Sequence, residues 1–522
     1  MLLSAAKPGS ATAQIDIGRW LDRICPIAFP LIALILFLLA THHGIGIWPD
    51  SARYMNMAHN AWDAPLYPAL LQLVAMTGLD IVQGAWLIAI VLAVLNPWLS
   101  WHLLRRACGQ PAYAAFGTAL IVLSPQTASL HALAMSEPLF LAMILATLGA
   151  LLRYLRDDDG RWLIVAGTWI GLASLVRFTG PPLGAAIALF LLIDPRHSLP
   201  RRLANIARIL LPSAAIFLGW ALLSEEITGR STGRPLEWFG NMAGSEWLAS
   251  FNALTIWILP NGVPFAIRST LFLAVFAASL WLLARHGWQA VRARIDGQGT
   301  PDLLAVPLTF FFFAYLAFMV LATSIEANLH LNGRYAYPIY GTSIMAVTIA
   351  LAWFRDATGP TRLVRHALTG LGVVMLLSHG LRTADRTHEA YVDGVGYASR
   401  QWVTSPTIAA VGRLPRDAIL YSNGADIIGY HLRRRSRGLP EPFALRTGHD
   451  DPAFPYAAQL AAARAALARG NAYVVFLNGV DWRFYMGSEK ELARKLDLVR
   501  VAQLADGSIY AARSAQVGEI EP

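Results

Sequence analysis

The feature that most limits how this chain can fold is the recurrence of apolar stretches, each close to the roughly 20 residues a helix needs to cross a bilayer. They fall near 25–47, 81–103, 111–125, 137–155, 162–177, 180–194, 206–224, 265–284, 303–323, 336–354 and 364–380, several of them short or broken by Pro and Gly. The pattern predicts an α-helical polytopic membrane protein with about eleven transmembrane helices. A chain that is 56% hydrophobic and 14% charged is too apolar for an ordinary soluble enzyme. The first stretch has no small-residue cleavage site before Trp48 and reads as a retained helix, not a signal peptide.

The net charge of +9 is spread over short gaps between these stretches, so it reads as a topology signal and not as a nucleic-acid surface. Alternate gaps are basic: Arg105-Arg106, Arg153 to Arg161, Arg196 to Arg208, Arg285 to Arg294, and Arg355 to His366. With Lys7, Arg19 and Arg23 in the amino-terminal lead, these are the expected cytoplasmic side of a bacterial-type inner membrane. Cys25 and Cys108 both fall in or beside membrane segments on that side, and no disulfide is expected.

The remaining gaps, expected to face outward, hold a different set of residues: Asp50 and Asp63, Ser136-Glu137, Arg177, Glu225-Glu226 to Glu246, and Glu326 to Arg334. Within the first of them, 51–62 fits a short amphipathic helix, and 65–78, opened by Pro65 and Pro68, fits an interfacial one. The gap over 224–264 contains Trp238, Phe239, Trp247, Phe251 and Trp257, a spacing that suits headgroup anchoring and, secondarily, sugar stacking. The division expected is a membrane domain over 1–380 and a soluble extracytoplasmic α/β domain over 381–522. The latter shows strands near 418–422 and 473–477, helices near 456–469 and 488–496, and a hairpin over 498–512. The basic run His431 to Arg437 reads first as a solvated face and second as a contact for anionic lipid or a charged acceptor.

An ionisable group at a helix mouth is costly unless it is used or paired, which makes Asp50 the first candidate for chemistry; it equally suits a helix cap. Metalloprotease, paired-cysteine, nucleophile-elbow and Walker motifs are absent from the sequence. A cytoplasmic nucleotide-binding domain has no room, so a reactant would arrive already activated on a membrane carrier.

Five motifs stand in order: Pro49-Asp-Ser-Ala-Arg-Tyr54, Pro65-Leu-Tyr-Pro-Ala-Leu-Leu71, Met135-Ser-Glu-Pro-Leu-Phe140, Leu175-Val-Arg-Phe-Thr-Gly180 and Asn332-Gly-Arg-Tyr-Ala-Tyr-Pro338. Together they resemble the polytopic C-type (GT-C) glycosyltransferases, the group that includes the protein O-mannosyltransferases and the aminoarabinose transferases of lipid A. The resemblance implies transfer of a sugar from a polyprenyl-phosphate donor to an acceptor hydroxyl on the outer face, with inversion. The acceptor would be an envelope glycan, glycolipid or protein. On this reading Asp50 is the base, Glu137 a second carboxylate facing the site, and Arg334 and then Arg177 the holders of the donor phosphate. Arg53 would pair with Asp50, while Tyr54, Tyr335 and Tyr337 would line the substrate pocket.

Each residue also has a structural role open to it: dipole pairing for Glu137, snorkelling for Arg334 and Arg177, interfacial anchoring for the tyrosines. The residues name no cofactor and leave a divalent metal ion open. A divalent ion would have only His42-His43 and His131 to draw on near Asp50, without ligand spacing, and Asp50 is followed by Ser51 where many members place a second acid. The competing readings are a transporter or lipid flippase, which would place its ionisable residues near the bilayer midplane, and an assembly partner in which Asp50 is dispensable.

Overall fold

The computed structural model describes residues 17–56, 63–228, 244–296 and 303–513. The expectations for Lys7, for 57–62, and for Trp238 and Phe239 lie outside those residues. The chain begins with α1 (Ile17–Ala40), α2 (Pro49–Tyr54), α3 (Leu66–Ala75), α4 (Ile81–Cys108), α5 (Pro111–Val122), α6 (Pro125–His131) and α7 (Glu137–Asp157). It continues with α8 (Arg161–Val176), α9 (Pro181–Ile193), α10 (Leu199–Thr228), α11 (Gly244–Thr255), α12 (Phe265–Ile295), α13 (Ala305–Ile325), α14 (Gly333–Trp353) and α15 (Gly359–Asp393). Then come α16 (Arg400–Val403), α17 (Pro406–Arg413), β1 (Ile419–Ser422), α18 (Ala425–Leu432), β2 (Arg437–Gly438), α19 (Tyr456–Leu467), β3 (Ala472–Leu477), α20 (Glu489–Lys495), β4 (Leu498–Leu504) and β5 (Gly507–Ala512).

Among the described residues, eight helices are long and apolar enough to cross a membrane: α1, α4, α7, α10, α12, α13, α14 and α15. The other three predicted spans are helices of 12, 16 and 13 residues (α5, α8 and α9), short of the roughly 20 that a bilayer requires.

Two boundaries differ from the hydropathy reading. The first helix runs from Ile17 to Ala40 and not over 25–47, with Pro26 and Pro30 inside it. Its polar first turns stay helical because Asp22 pairs with Arg105 of α4 at 2.5 Å, while Gly44 (φ 106°) turns the chain after its end. At the other extreme α15 passes through residue 380 without a break and ends only at Gly394 (φ 73°). The fall in hydropathy after Ser378 therefore lies within a helix.

Helix ends are fixed by local chemistry. Asp80 caps α4 by accepting from the Val82 amide at 2.9 Å, and Gly109 in the left-handed region (φ 66°) terminates it. Asn332 caps α14, its side chain accepting from the amides of Arg334 and Tyr335 at 3.0 and 3.2 Å. α8 and α10 pack closely because Gly167 has no side chain: a Cβ there would lie 2.2 Å from the Ile209 carbonyl.

Beyond Gly394 the chain forms a five-stranded sheet in the order β2-β1-β3-β5-β4. β2, β1 and β3 are parallel, and β5 pairs antiparallel with both β3 and β4. All six residues of β3 are buried, as expected of a parallel strand covered on both faces. Its alternate side chains serve two cores: Val474 and Phe476 pack with α19 and α20, whereas Tyr473, Val475 and Leu477 join Ile427, Tyr397 and the membrane helices in one continuous core.

Three arginines of the basic run, Arg433, Arg435 and Arg437, are exposed, as a solvated face requires, and the run also makes fixed contacts. Arg434 donates to the carbonyls of Val411, Leu414, Pro415 and Ala418, and Arg433 pairs with Asp80 at the start of α4 (3.1 Å).

Candidate active site

Between α1 and α2 the chain runs extended and is gripped on both sides. The Gly46 amide donates to the Ala132 carbonyl, the Ala134 amide to Gly46, and the Tyr397 amide to Ile47, at 2.9 to 3.0 Å. Glycine is needed at 46, where a Cβ would sit 2.5 Å from Leu133. This anchorage sets α2 against the start of α7. Trp48 is the helix's N-cap, and its amide donates to Ser51 Oγ at 3.1 Å.

Asp50 is not the cap, because both its oxygens are turned to guanidinium groups. Oδ1 accepts from Arg53 Nη2 at 2.6 Å, and Oδ2 pairs with Arg334 Nη2 at 2.7 Å. Arg334 then reaches Glu137, whose Oε1 accepts from Arg334 Nε at 2.7 Å and lies 2.8 Å from Arg177 Nη1. On the far side Arg53 forks onto Asp63 at 2.9 and 3.0 Å. The result is one alternating row, Asp63, Arg53, Asp50, Arg334, Glu137 and Arg177, in which three carboxylates and three guanidiniums balance.

Five segments deliver that row to one end of the bundle: α2, the turn before α3, the first residue of α7, the residue after α8 and the start of α14. Glu137 is fully buried (0% exposed) and Arg177 nearly so (9%), while Asp50 and Arg334 keep 24% and 20% of their side-chain surface. The open part of the row is thus its middle. Glu137 Oε2 is buried without a hydrogen-bond partner among the described residues.

Burial by itself would raise the pKa of Asp50, but the charges of Arg334 and Arg53, and their hydrogen bonds, hold its carboxyl well below the usual range. Tyr54 moves the other way: burial first, then the Asp50, Asp63 and Glu137 carboxylates, raises its phenol. The Tyr54 hydroxyl lies 3.4 Å from Ser136 Oγ, which also accepts from Arg177 at 3.2 Å. Tyr335 lies under the Arg177 guanidinium at 5.2 Å.

The structure therefore brings Asp50, Arg53, Tyr54, Glu137, Arg177, Arg334 and Tyr335 together. Tyr337, expected to line the pocket, is instead packed in the hydrophobic core, 1% exposed. Asp63 and Ser136 join the network, although the sequence reading noted them only as residues of the same gaps. Asp63 lies ten residues beyond Arg53 in the chain, a spacing that carries no signal of their pairing.

His131, one of the residues considered for a metal, is buried in the core and bonded to Asn96 and the Thr127 carbonyl. His42 stacks on Tyr391. Among the described residues no three His, Cys, Asp or Glu side chains are grouped to hold a metal ion.

An apolar crevice opens between α5, α12, α13, α14 and α15, lined among others by Trp257, Phe272, Phe276, Phe312, Tyr340 and Met375. Tyr340 lies six residues beyond Arg334 on α14, about 9 Å along the axis.

Residues 63–222 match the family model described as dolichyl-phosphate-mannose-protein mannosyltransferase. No curated protein sequence matches the chain significantly. Over its whole length the fold is similar to ArnT from Cupriavidus metallidurans. The apo form superposes with a TM-score of 0.58 at 16% identity, covering 95% of this chain and 98% of that one. The form bound to undecaprenyl phosphate gives 0.56 at 14%, with 94% and 98% covered. The apo oligosaccharyltransferase of Archaeoglobus fulgidus is similar at a TM-score of 0.51 and 12% identity, over 96% of this chain and 76% of that one. By fold the chain is similar to ArnT and to the archaeal oligosaccharyltransferase, and the mannosyltransferase family model matches 160 of its 522 residues.

Proposed function

We propose that this protein moves a monosaccharide from a polyprenyl-phosphate carrier to a hydroxyl of a cell-envelope glycan, glycolipid or protein, on the outer face of the membrane and with inversion. The observation that carries the reading is Arg334, one guanidinium shared between Asp50 and Glu137 at the open middle of the row. The likeness to a protein solved with undecaprenyl phosphate supports the carrier class, and the apolar crevice below Arg334 suits a prenyl chain.

The row must open for the reaction to proceed. In the resting arrangement Asp50 is too weak a base, because protonating it would leave three guanidiniums facing two carboxylates. A carrier phosphate that draws Arg334 toward itself does two things at once. It is neutralised as a leaving group, and it raises the basicity of Asp50, which keeps only Arg53. The acceptor oxygen then bonds to the anomeric carbon, the carbon–phosphate-oxygen bond breaks, and the acceptor proton passes to Asp50. Glu137 and Arg177 hold the row's buried end in place. The membrane part, 1–380, would carry the chemistry, and 381–522 would stand over it outside the cell membrane. Ionisable groups at the helix mouths favour transfer over transport, which would use the midplane.

The test is binding of a panel of polyprenyl-phosphate sugars to purified wild type and Asp50→Asn, with donor consumption followed in an envelope extract. One donor should bind both proteins and be consumed only by wild type. Equal turnover by Asp50→Asn would remove Asp50 as the base, and failure of every carrier to bind would end the transferase reading.

A further inference from the structure

The α/β region carries a second polar cluster that the row of charges does not use. In the order β2-β1-β3 the chain leaves β1 for β2 on one side and returns to β3 on the other. The carboxyl ends of β1 and β3 thus flank a switch point, the place where open parallel sheets leave a crevice for a ligand. Asp426 follows β1, Glu441 follows β2 and Arg483 follows β3.

Asp426 and Arg483 are joined in one hydrogen-bond network. Asp426 Oδ2 accepts from Arg483 Nη2 at 2.9 Å and, over a shorter distance, from the Tyr397 hydroxyl, and Arg483 Nη1 donates to the Tyr485 hydroxyl at 2.7 Å. One acceptor and one donor are left over. Among the described residues Asp426 Oδ1 and Arg483 Nε are buried with no hydrogen-bond partner, and the Asp426 side chain is 1% exposed. Leaving both unsatisfied costs a few kcal/mol that a ligand would recover. Trp482 and Phe484, on either side of Arg483 in the chain, are 38% and 58% exposed, and Phe443 lies tilted against Phe484 at 6.3 Å.

The position of the cluster is set by two attachments. Gly396 and Tyr397 pair with Ile47, immediately before the helix of Asp50. On the other side the Ala327 amide donates to the Arg446 carbonyl at 2.7 Å, and Asn328 Nδ2 to the Leu445 carbonyl at 2.8 Å, just before the helix of Arg334. α18, which carries Asp426, packs on α2. The Tyr397 phenol is raised by burial, by Asp426 and, more weakly, by Asp50, so the two clusters are electrostatic neighbours.

We propose that this crevice is a saccharide subsite that holds the acceptor glycan above the row. The leftover carboxylate oxygen and guanidinium N–H, on two side chains joined by an ion pair, suit a hydroxyl pair that both donates and accepts. A phosphate or carboxylate is disfavoured, because Asp426 already neutralises Arg483. The exposed aromatic rings on either side of Arg483 in the chain offer faces for sugar C–H groups. The acceptor role rests on the transferase reading; the binding of sugar does not.

The experiment therefore reads binding without turnover. Full-length protein in detergent is titrated with methyl hexopyranosides and a methyl arabinofuranoside, with saturation transferred from protein to sugar followed by NMR. Wild type should saturate at least one glycoside, with the signal falling roughly ten-fold in Asp426→Asn and Arg483→Lys. Phe484→Ala, at an exposed position where folding is not at stake, should weaken it several-fold. Failure of every glycoside to bind wild type, or equal signals in wild type, Asp426→Asn and Phe484→Ala, would overturn the subsite. Displacement of the bound glycoside by a polyprenyl-phosphate sugar would overturn its assignment to the acceptor. A bound glycoside in a protein that consumes no donor would sink the transferase reading and leave the subsite standing.

Discussion

The two ends of α7 carry similar charge clusters with opposite burial. At its first residue Glu137 meets Arg177 and Arg334 at 2.8 and 2.7 Å, and the carboxylate is 0% exposed. Just past its last residue Asp158 meets Arg201, His197 and Arg196 at 2.6, 3.0 and 3.8 Å, but it is 39% exposed and Arg201 49%. Water and salt screen the second cluster, so its pairs are worth little, whereas the first can be neither solvated nor left incomplete. Residue type and count do not separate the two clusters; enclosure does.

The comparison breaks or holds on mutation. Glu137→Ala strands Arg177 and Arg334 without their shared counter-charge and should cost about 3–5 kcal/mol, read as a large drop in melting temperature in detergent, together with all transfer activity. A melt within a degree of wild type would mean that water reaches this end too. Asp50→Asn should lower turnover by roughly 10²–10⁴ while donor affinity holds, measured by donor consumption beside carrier binding. Arg334→Lys keeps the charge but cannot span Asp50 and Glu137 together, so a loss of about ten-fold or more in turnover is expected; an unchanged rate would move the phosphate site elsewhere.

Glu441 gives an intermediate case. Burial, and beyond it the charge of Asp451, pushes its carboxyl up to about 7 against the pull of Arg483. The folded chain therefore holds a proton that the unfolded chain has released between about pH 4.5 and 7. Stability should fall by about 1–3 kcal/mol as pH rises through that window and level off above it. Melts of wild type and Glu441→Gln across it should converge at the acid end and part at the neutral end. Parallel curves would mean that Glu441 is solvated. Last and smallest, Asp158→Ala should change stability by less than about 1 kcal/mol, and less still in high salt; a loss comparable to that of Glu137→Ala would erase the contrast between the two ends.

Hydropathy made most of the membrane helices legible, and the motifs named most of the row, because both signals are local. What escaped them is long-range or irregular. The first helix includes residues 17–24, ahead of its apolar window, where Asp22 pairs with Arg105 83 residues away, which such a window does not register. α15 outlasts its window because backbone hydrogen bonding continues where the side chains turn polar, from Arg382 onward. Tyr337 shares a motif with Arg334, yet three residues of helix turn it by about 300° toward the core. Asp426 and Arg483, 57 residues apart, meet only through the crossover of a parallel sheet.

The span of the row along the chain also sets an order in time. Glu137 and Arg334 are 197 residues apart, so at roughly 5–20 residues per second the ribosome makes the second about 10–40 s after the first. Until then the segments already made hold Asp50, Asp63 and Glu137 against only Arg53 and Arg177, one positive charge short. The nascent membrane protein must carry that unmatched carboxylate through insertion of the intervening helices, and the arrival of Arg334 is the event that lets this end of the bundle close.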